Sequence, residues 1–137
     1  MKHWLMKSEP DTFSWDHLVE KKRSMWDGVR NHMAAGHMRE MKKGDLVFFY
    51  HSNIGKEIVG VMRVEKEHYP DPTDETAKFV VVDVVPVKPF KKPVTLAEIK
   101  ANKKFADMRL VTHSRLSVSP VSEAHWAAIC KMGGVTP

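Results

Sequence analysis

The sequence predicts an α+β fold in which short helices pack around one curled β-sheet or barrel. The chain has 137 residues, of which 42% are hydrophobic, and a chain of that length builds one core rather than two. Its middle third contains three short runs rich in β-branched and aromatic residues, separated by turn residues, which is typical of an antiparallel sheet. Segments with helix-capping residues precede and follow these runs. A single domain over residues 1–137 is therefore expected.

The first third of the chain predicts one short strand and two helices. Residues 2–6 alternate weakly between polar and apolar and lead to Pro10, so they predict a strand whose end delivers residues 7–9 to a loop. Ser14 is the expected N-cap of the first helix, because its hydroxyl can accept a hydrogen bond from a free backbone N–H. Asn31 is the expected N-cap of the second helix.

Three strands are predicted in the middle of the chain, over residues 46–50, 58–64 and 79–85. The last of these is apolar on both faces except at Asp83, which predicts a central strand. Gly60 lies inside the second strand. A glycine at such a position marks a β-bulge or the close approach of another group.

Two helices and one further strand are predicted in the last third. Residues 95–98 (TLAE) have the spacing of a capping box, in which the Thr and Glu side chains satisfy free backbone N–H groups at the helix start. A strand over residues 116–118 precedes Ser122, the expected N-cap of the final helix. Val121 and Trp126 flank that cap at the spacing of a hydrophobic staple, which supports a helix beginning there.

The positive charge of the chain lies in its second half. The 22 Lys and Arg exceed the 17 Asp and Glu by five (22 − 17), and residues 1–75 carry 12 basic and 13 acidic side chains while residues 76–137 carry 10 and 4. An acidic partner such as nucleic acid is therefore one candidate, and a solvated lysine-rich loop and helix is the alternative. The residues expected to make weak phosphate contacts are Lys88, Lys91, Lys92, Lys103 and Lys104, with Lys100 in the same segment.

Several classes of function lack their motif in this sequence. The single cysteine, Cys130, cannot form an intramolecular disulfide, which favours a reducing compartment: the cytoplasm or, in a eukaryote, the nucleus. No Cys/His spacing predicts a metal site, and no glycine-rich phosphate loop or deaminase signature predicts a cofactor or that chemistry. No stretch resembles a signal peptide or a membrane span. We therefore expect a monomer without metal, cofactor or membrane contact.

Two short polar segments lie where core packing does not require them. The first is Lys7-Ser8-Glu9, and the second runs from Trp26 to Asn31. The second segment offers an aromatic ring for stacking, a glycine that permits close approach, and polar side chains that can read the edge of a planar heterocycle. The alternative interpretation is structural, with Trp26 in the core, Asn31 as a helix cap and Arg30 paired with Glu9.

These segments and several others, in the same order along nearly the whole chain, resemble the EVE domain family. The resemblance is carried by WLMKSEP (4–10), WDGVRN (26–31), GD (44–45) with FYHS (49–52), IVG (58–60), YPD (69–71), and SRLSV (114–118) with PV (120–121). It implies a PUA-like fold, a curled barrel of antiparallel or mixed β-strands with short helices packed around it. It also implies a non-catalytic module that reads a modified, methylated base in DNA or RNA.

The resemblance implies which residues form the base site. Trp26 is similar to a wall of the aromatic cage that holds the base, and residues 7–9 (Lys7, Ser8 and Glu9) resemble groups of its rim. The other base-binding residues that it implies are Asp27, Arg30, Asn31, His51, Ser52, Asn53, Arg115 and Ser117. The chain departs from the family after Asn31, where residues 32–36 (HMAAG) replace a Tyr-Gln-Ala-Arg-Asn run. The second wall of the pocket and one phosphate contact are therefore expected to differ.

Two other hypotheses stay open. An enzyme acting on a modified nucleotide or on RNA would use Glu9 or Asp27 as general base, with His51 as its partner. A binder of a small heterocyclic metabolite would need the aromatic pocket but not the lysines. Salt separates this last hypothesis from a nucleic-acid reader, because binding to phosphates weakens steeply as the salt concentration rises.

Overall fold

The computed structural model describes residues 1–136, in which a six-stranded mixed β-sheet is surrounded by five short helices. The strands are β1 (His3–Ser8), β2 (Ser24–Met25), β3 (Leu46–His51), β4 (Glu57–Pro70), β5 (Val80–Thr95) and β6 (Val118–Val121). The helices are α1 (Trp15–Lys21), α2 (His32–Glu40), α3 (Leu96–Ala101), α4 (Arg109–Thr112) and α5 (Glu123–Gly133), and a 3₁₀ turn spans Lys103–Phe105. The α+β class predicted from the sequence is confirmed.

The strands follow the order β2-β5-β4-β3-β1-β6 across the sheet. β1 and β3 are parallel, with Leu5 opposite Phe48, and every other neighbouring pair in this order is antiparallel. β5, predicted as a central strand, pairs with β4 on one side and with β2 at only two positions on the other. β2 and β6 lie at opposite edges of the sheet. The sheet is therefore open, and the closed barrel implied by the resemblance is not confirmed.

Both faces of the sheet are covered by helices. Successive side chains of a strand point to opposite faces, so Trp4 and Phe49 enter one hydrophobic core while Leu5 and Phe48 enter the other. The first core is closed by α1 and α2, and the second by α3, α4, α5 and the 3₁₀ turn. In the second core Trp126 stacks on Phe48 with 3.7 Å between the ring centroids. The molecule thus has three layers, with the sheet in the middle.

The four predicted helix starts are confirmed, whereas the predicted strand lengths are too short. Each predicted N-cap side chain accepts a hydrogen bond from the backbone N–H three residues further on: Ser14, Asn31, Thr95 and Ser122. β4 and β5 extend beyond the predicted ranges 58–64 and 79–85, because they continue as a bulged ladder through polar and proline residues that carry no strand pattern. β6 begins two residues later than predicted.

Gly60 lies where α1 crosses β4. A Cβ atom at this position would lie 2.6 Å from Cζ3 of Trp15, which is much closer than two carbon atoms can pack. The register of β4 against β5 also shifts between Ile58 and Gly60. The prediction of a bulge or a close approach is therefore confirmed on both counts.

We expect Gly60→Ala to lower the free energy of unfolding by about 1–3 kcal/mol, because the added methyl group overpacks the core against Trp15. Gly36→Ala in α2 is the matched control, since a Cβ at Gly36 has no heavy atom within 4 Å and alanine stabilises a helix by about 0.5–1 kcal/mol over glycine. Urea unfolding followed by circular dichroism measures both changes. A Gly60→Ala protein as stable as the wild type would contradict the close packing.

The described residues contain one free cysteine, which is buried. Cys130 is a free thiol in the second core, and burial raises its pKa to about 11, so it is unreactive at neutral pH. No group of three or more His, Cys, Asp or Glu side chains within residues 1–136 is placed to hold a metal ion. None of the helices in this range is both long and apolar enough to cross a bilayer.

Candidate functional site

Most of the predicted base-site residues lie near the end of the sheet at which the parallel strands β1 and β3 terminate. Ser8 and His51 are the last paired residues of this ladder, and the chain leaves β1 through Glu9 and β3 through Ser52. The backbone N–H of Ser52 donates to the carbonyl oxygen of Ser8 at 2.9 Å, which holds the two exits together. Because both strands run in the same direction, both loops open on the same side of the molecule.

The first cleft lies between the loop after β1 and the segment around β2, and its volume is about 560 Å³. Five of the predicted base-site residues line it: Lys7, Ser8, Glu9, Trp26 and Asp27. The remaining lining residues are Thr12, Phe13, Lys21, Ser24, Met25 and Gly28. The cleft is large enough for a small ligand and combines the apolar side chains of Phe13, Met25 and Trp26 with polar and charged groups.

Two aromatic rings meet at this cleft. Phe13 and Trp26 lie 6.1 Å apart between centroids, with their planes at 89°, so they form a corner. Trp26 also packs edge-on with Phe49 at 5.3 Å and is only 6% exposed. A base can therefore stack flat on Trp26 only if a neighbour such as Phe13 shifts. Phe13 was missed by the sequence prediction, because it lies in a loop and takes part in no periodic pattern.

Hydrogen bonds hold the loop that carries Phe13. The hydroxyl of Ser8 donates to the carbonyl oxygen of Phe13 at 2.6 Å, and the N–H of Phe13 donates to the carbonyl oxygen of Glu9 at 2.9 Å. The Ser8 oxygen can still accept a hydrogen bond from a ligand. Ser8 therefore positions one aromatic wall of the cleft and contributes a polar group to it.

Asp71, which follows β4, anchors the loop of residues 26–31. Its fully buried carboxylate accepts hydrogen bonds from the Gly28 N–H at 3.0 Å, from Nη1 of Arg30 at 2.9 Å and from the Thr73 hydroxyl at 2.7 Å. Burial alone would raise the pKa of this carboxyl, but the hydrogen bonds outweigh it and hold the pKa at about 2. Asp71 belongs to the YPD segment of the resemblance, but no role was predicted for it. The predicted alternative pairing of Arg30 with Glu9 is wrong, because Arg30 pairs with Asp71.

Three of the predicted base-binding residues line neither the first cleft nor a second cleft beside it: Arg30, Asn31 and His51. Asn31 caps α2 through its side-chain oxygen. Nε2 of His51 accepts a hydrogen bond from the backbone N–H of Trp15 at 3.0 Å, and burial lowers its pKa, so the imidazole is neutral at pH 7. His51 therefore fixes the start of α1. The carboxylate–imidazole pair of the enzyme hypothesis is not formed among the described residues.

A second cleft, of about 500 Å³, lies on the other side of Lys7 and Glu9, which line both clefts. It is formed by the turn 52–56, by α3 and by the segment 114–117. The other predicted base-site residues that line it are Ser52, Asn53, Arg115 and Ser117. Lys100 also lines it and comes from the lysine-rich segment identified in the sequence, and the remaining lining residues are Tyr50, Lys56, Leu96, Leu110 and Ser114. The predicted base site is thus divided between two adjacent clefts.

The lysines predicted to contact phosphates line neither of these two clefts: Lys88, Lys91 and Lys92 lie on β5, and Lys103 and Lys104 lie in the 3₁₀ turn. Their phosphate contacts stay a prediction. The basic side chains that do line the clefts come from both halves of the chain: Lys7, Lys21, Lys56, Lys100 and Arg115. The folded protein therefore brings together basic side chains from the charge-balanced first half of the sequence and from its basic second half.

The departure from the family pattern does not reach the clefts. Residues 32–36 lie in α2, where Ala34 and Ala35 are buried, and none of the five lines either cleft. The residues that this chain has at those positions therefore contribute no side chain to either cleft. The aromatic residues that line the first cleft are Phe13 and Trp26.

Comparisons with known proteins match the whole chain. Human thymocyte nuclear protein 1 is 36% identical over 155 residues, which cover 88% of this chain and 69% of that protein. An NMR structure of a Rhodopseudomonas palustris protein is 54% identical, with a TM-score of 0.92 over 98% of this chain and 94% of that one. The crystal structure of human THYN1 in complex with 5-methylcytosine-containing DNA is 33% identical, with a TM-score of 0.91 and 100% of both chains covered.

A more distant structure shares the fold alone. ASCH from Zymomonas mobilis is 9% identical and has a TM-score of 0.62 over 99% of both chains.

The sequence model of the EVE domain matches residues 2–132, nearly the full length of the chain. The chain therefore belongs to the EVE domain family.

Proposed function

We propose that the chain is a non-catalytic nucleic-acid-binding module that reads a methylated base in the first cleft. The observation that carries this proposal is the likeness, over the whole of both chains, to the crystal structure of human THYN1 in complex with 5-methylcytosine-containing DNA. DNA is therefore the first ligand to test, and RNA is the second. The compartment would be one that holds nucleic acid, the cytoplasm of a bacterium or the nucleus of a eukaryote.

The first cleft offers the groups that such a ligand needs. Phe13 supplies one ring for stacking and Trp26 supplies a second once Phe13 shifts away from it, and stacking contributes about 1–3 kcal/mol per base. The carboxylates of Glu9 and Asp27 can accept a hydrogen bond from the exocyclic amino group of cytosine. Met25, which is 37% exposed at this cleft, gives the methyl group an apolar surface. Stacking, edge recognition and methyl burial are thus provided within one cavity.

The methyl group itself supplies little free energy. Burying one such group contributes about 0.8 kcal/mol, which corresponds to roughly a fourfold preference. A larger preference requires that the cleft fit the methylated base and leave a gap beside the unmethylated one. Extracting a base from a duplex costs about a few kcal/mol, so a single strand or a destabilised duplex should bind more tightly than an intact duplex.

Titration with 5-methyl-2′-deoxycytidine, deoxycytidine and short single strands that contain either base tests the proposal. We expect quenching of tryptophan fluorescence and at least about a fourfold preference for the methylated ligands. Trp26→Phe assigns the signal, because the other tryptophans, Trp4, Trp15 and Trp126, do not line the cleft. RNA strands of the same sequence decide between the two nucleic acids. Equal affinities for methylated and unmethylated ligands would exclude a methyl-base reader.

A further inference from the structure

The second cleft carries an excess of positive charge. Lys56, Lys100 and Arg115 are exposed at its wall, and within residues 1–136 none of the three forms an ion pair. With Lys7, four cationic side chains face a single carboxylate, that of Glu9. Such an excess of cations over carboxylates in one cleft attracts an anion from solution.

The same cleft has no aromatic face to offer a base. Its one aromatic residue, Tyr50, is 3% exposed, and Nζ of Lys7 lies 5.7 Å from its ring centroid. The other polar lining groups are neutral and can donate hydrogen bonds: Ser52, Asn53, Ser114 and Ser117. Cations and hydroxyl or amide donors are the groups that proteins use to hold phosphate oxygens. The second cleft is therefore built for a phosphate rather than for a base.

Lys7 forms the wall between the two clefts and holds the segment 114–117 in place. Its Nζ donates to the carbonyl oxygen of Ser114 at 2.9 Å, and burial lowers its pKa. Its backbone N–H donates to the carbonyl oxygen of Ser117, also at 2.9 Å. Lys7 is thus committed to the protein, and the other three cations stay available to a ligand.

The turn that presents Lys56 has an unusual backbone. Asn53 and Lys56 have φ angles of 68° and 48°, in the left-handed region that side chains other than glycine rarely adopt. The N–H of Leu96, the first residue of α3, donates to the carbonyl oxygen of Lys56 at 2.8 Å and fixes the turn against the helix that carries Lys100. Strained backbone held by its surroundings is typical of binding sites.

We propose that the second cleft binds the backbone phosphate next to the base in the first cleft, with Lys56, Lys100 and Arg115 as its cations. This inference rests on the proposed function. One sugar joins a base to its phosphate, so two clefts that share the wall of Lys7 and Glu9 can hold one nucleotide. Arg115 and Ser117, which the resemblance assigns to the base, are thereby assigned to the phosphate. The lysines of β5 then lie outside this phosphate site.

The double variant Lys56→Ala/Lys100→Ala tests this assignment. Each phosphate contact to a single strand adds about 0.7 to the slope of log affinity against log salt, so losing two contacts should flatten the slope by about 1.4 and weaken binding about 25-fold at about 0.1 M salt. The affinity for free 5-methyl-2′-deoxycytidine, which has no phosphate, should not change. Fluorescence titration over a salt series measures both quantities.

Two further double variants show whether position or total charge matters. Lys42→Ala/Lys131→Ala removes the same charge from exposed positions outside both clefts and should change the affinity much less. Lys91→Ala/Lys92→Ala tests the lysines predicted from the sequence. The assignment is overturned if either of these variants weakens binding as much as Lys56→Ala/Lys100→Ala, or if the latter weakens nucleoside binding to the same extent.

The phosphate assignment and the base-reading proposal can fail separately. If the wild-type protein does not distinguish methylated from unmethylated strands, the proposed function fails, yet the comparison of salt slopes still decides whether Lys56 and Lys100 contact phosphates. If the preference for the methylated base is present but the slope is unchanged in Lys56→Ala/Lys100→Ala, only the phosphate assignment falls.

Discussion

Trp26→Ala is expected to abolish the preference for a methylated base and to weaken binding of a short methylated single strand by about 1–3 kcal/mol, or roughly 5- to 150-fold. Trp26 is the largest aromatic residue that lines the first cleft, and without it the base loses its main stacking partner. Binding should not vanish, because the cations of the second cleft are untouched. The residual affinity should be similar for methylated and unmethylated strands and should fall steeply with salt.

Trp26→Ala also lowers stability, so its binding must be measured under conditions in which the variant is folded. Trp26 is 6% exposed and packs with Phe49 in the first core, and truncating such a side chain costs about 3–5 kcal/mol in the free energy of unfolding. Trp26→Phe keeps a stacking ring and leaves a smaller void, so it should show an intermediate loss of affinity. Circular dichroism and thermal unfolding identify the temperature range in which each variant is folded.

Met62→Ala is the matched control for Trp26→Ala. Met62 is fully buried in the same core, lines neither cleft and pairs with Val47 near the start of β3, whereas the clefts lie where β3 ends, so this variant lowers stability by about 2–5 kcal/mol without changing a wall of the base site. It should retain the preference for the methylated base. If folded Trp26→Ala also retains that preference, Trp26 does not hold the base and the location of the site in the first cleft is wrong.

Features fixed by local hydrogen bonding could be predicted from the sequence. Ser14 and Ser122 begin helices because their hydroxyls accept hydrogen bonds from backbone N–H groups three residues further on. Both partners of such a hydrogen bond lie within one short stretch of sequence, so the pattern can be recognised there. Pro10 correctly predicts that β1 ends just before it, but Lys7 and Ser8, predicted in the loop, are the last two residues of the strand because they pair with Tyr50 and His51 of β3. The open edges of the sheet could not be predicted in this way, since strand order depends on contacts between distant segments.

The residues of the candidate site likewise separate into those that a local motif predicts and those that only the folded structure brings together. Trp26 and residues 7–9 were predicted because each lies in a compact motif, whereas Asp71 contacts Gly28 across 43 positions of sequence. The second cleft brings Lys56 of the β3–β4 turn together with Lys100 of α3, and no spacing in the sequence signals that meeting. Phosphate contacts were predicted for the lysine-rich segment because a count of charges along the sequence measures how many lysines lie in one stretch of chain. It does not measure which lysines lie close together in the folded protein.

Asp71→Asn is expected to lower the free energy of unfolding by about 2–4 kcal/mol, because an amide cannot accept all four hydrogen bonds that the buried carboxylate accepts and leaves Arg30 without its counter-charge. The loop of residues 26–31 then loses its anchor at Gly28. Since this loop carries Trp26, the affinity for the methylated base should fall along with stability. Glu75→Gln, which removes a charge from an exposed position in the same β4–β5 loop, should leave both quantities nearly unchanged.

The pH dependence of stability separates the charge of Asp71 from its shape. The pKa of this carboxyl is about 2 in the folded protein against about 3.9 in an unfolded chain, so the ionised group contributes about 2–3 kcal/mol of stability. Because the folded pKa is the lower one, this contribution is fully present above about pH 4 and is lost as the pH falls towards 2. Wild type should lose stability over that window, and Asp71→Asn should lose less by about this amount. Urea unfolding of both proteins between neutral pH and pH 2 measures the difference; parallel stability curves would show that Asp71 does not hold the loop through its charge.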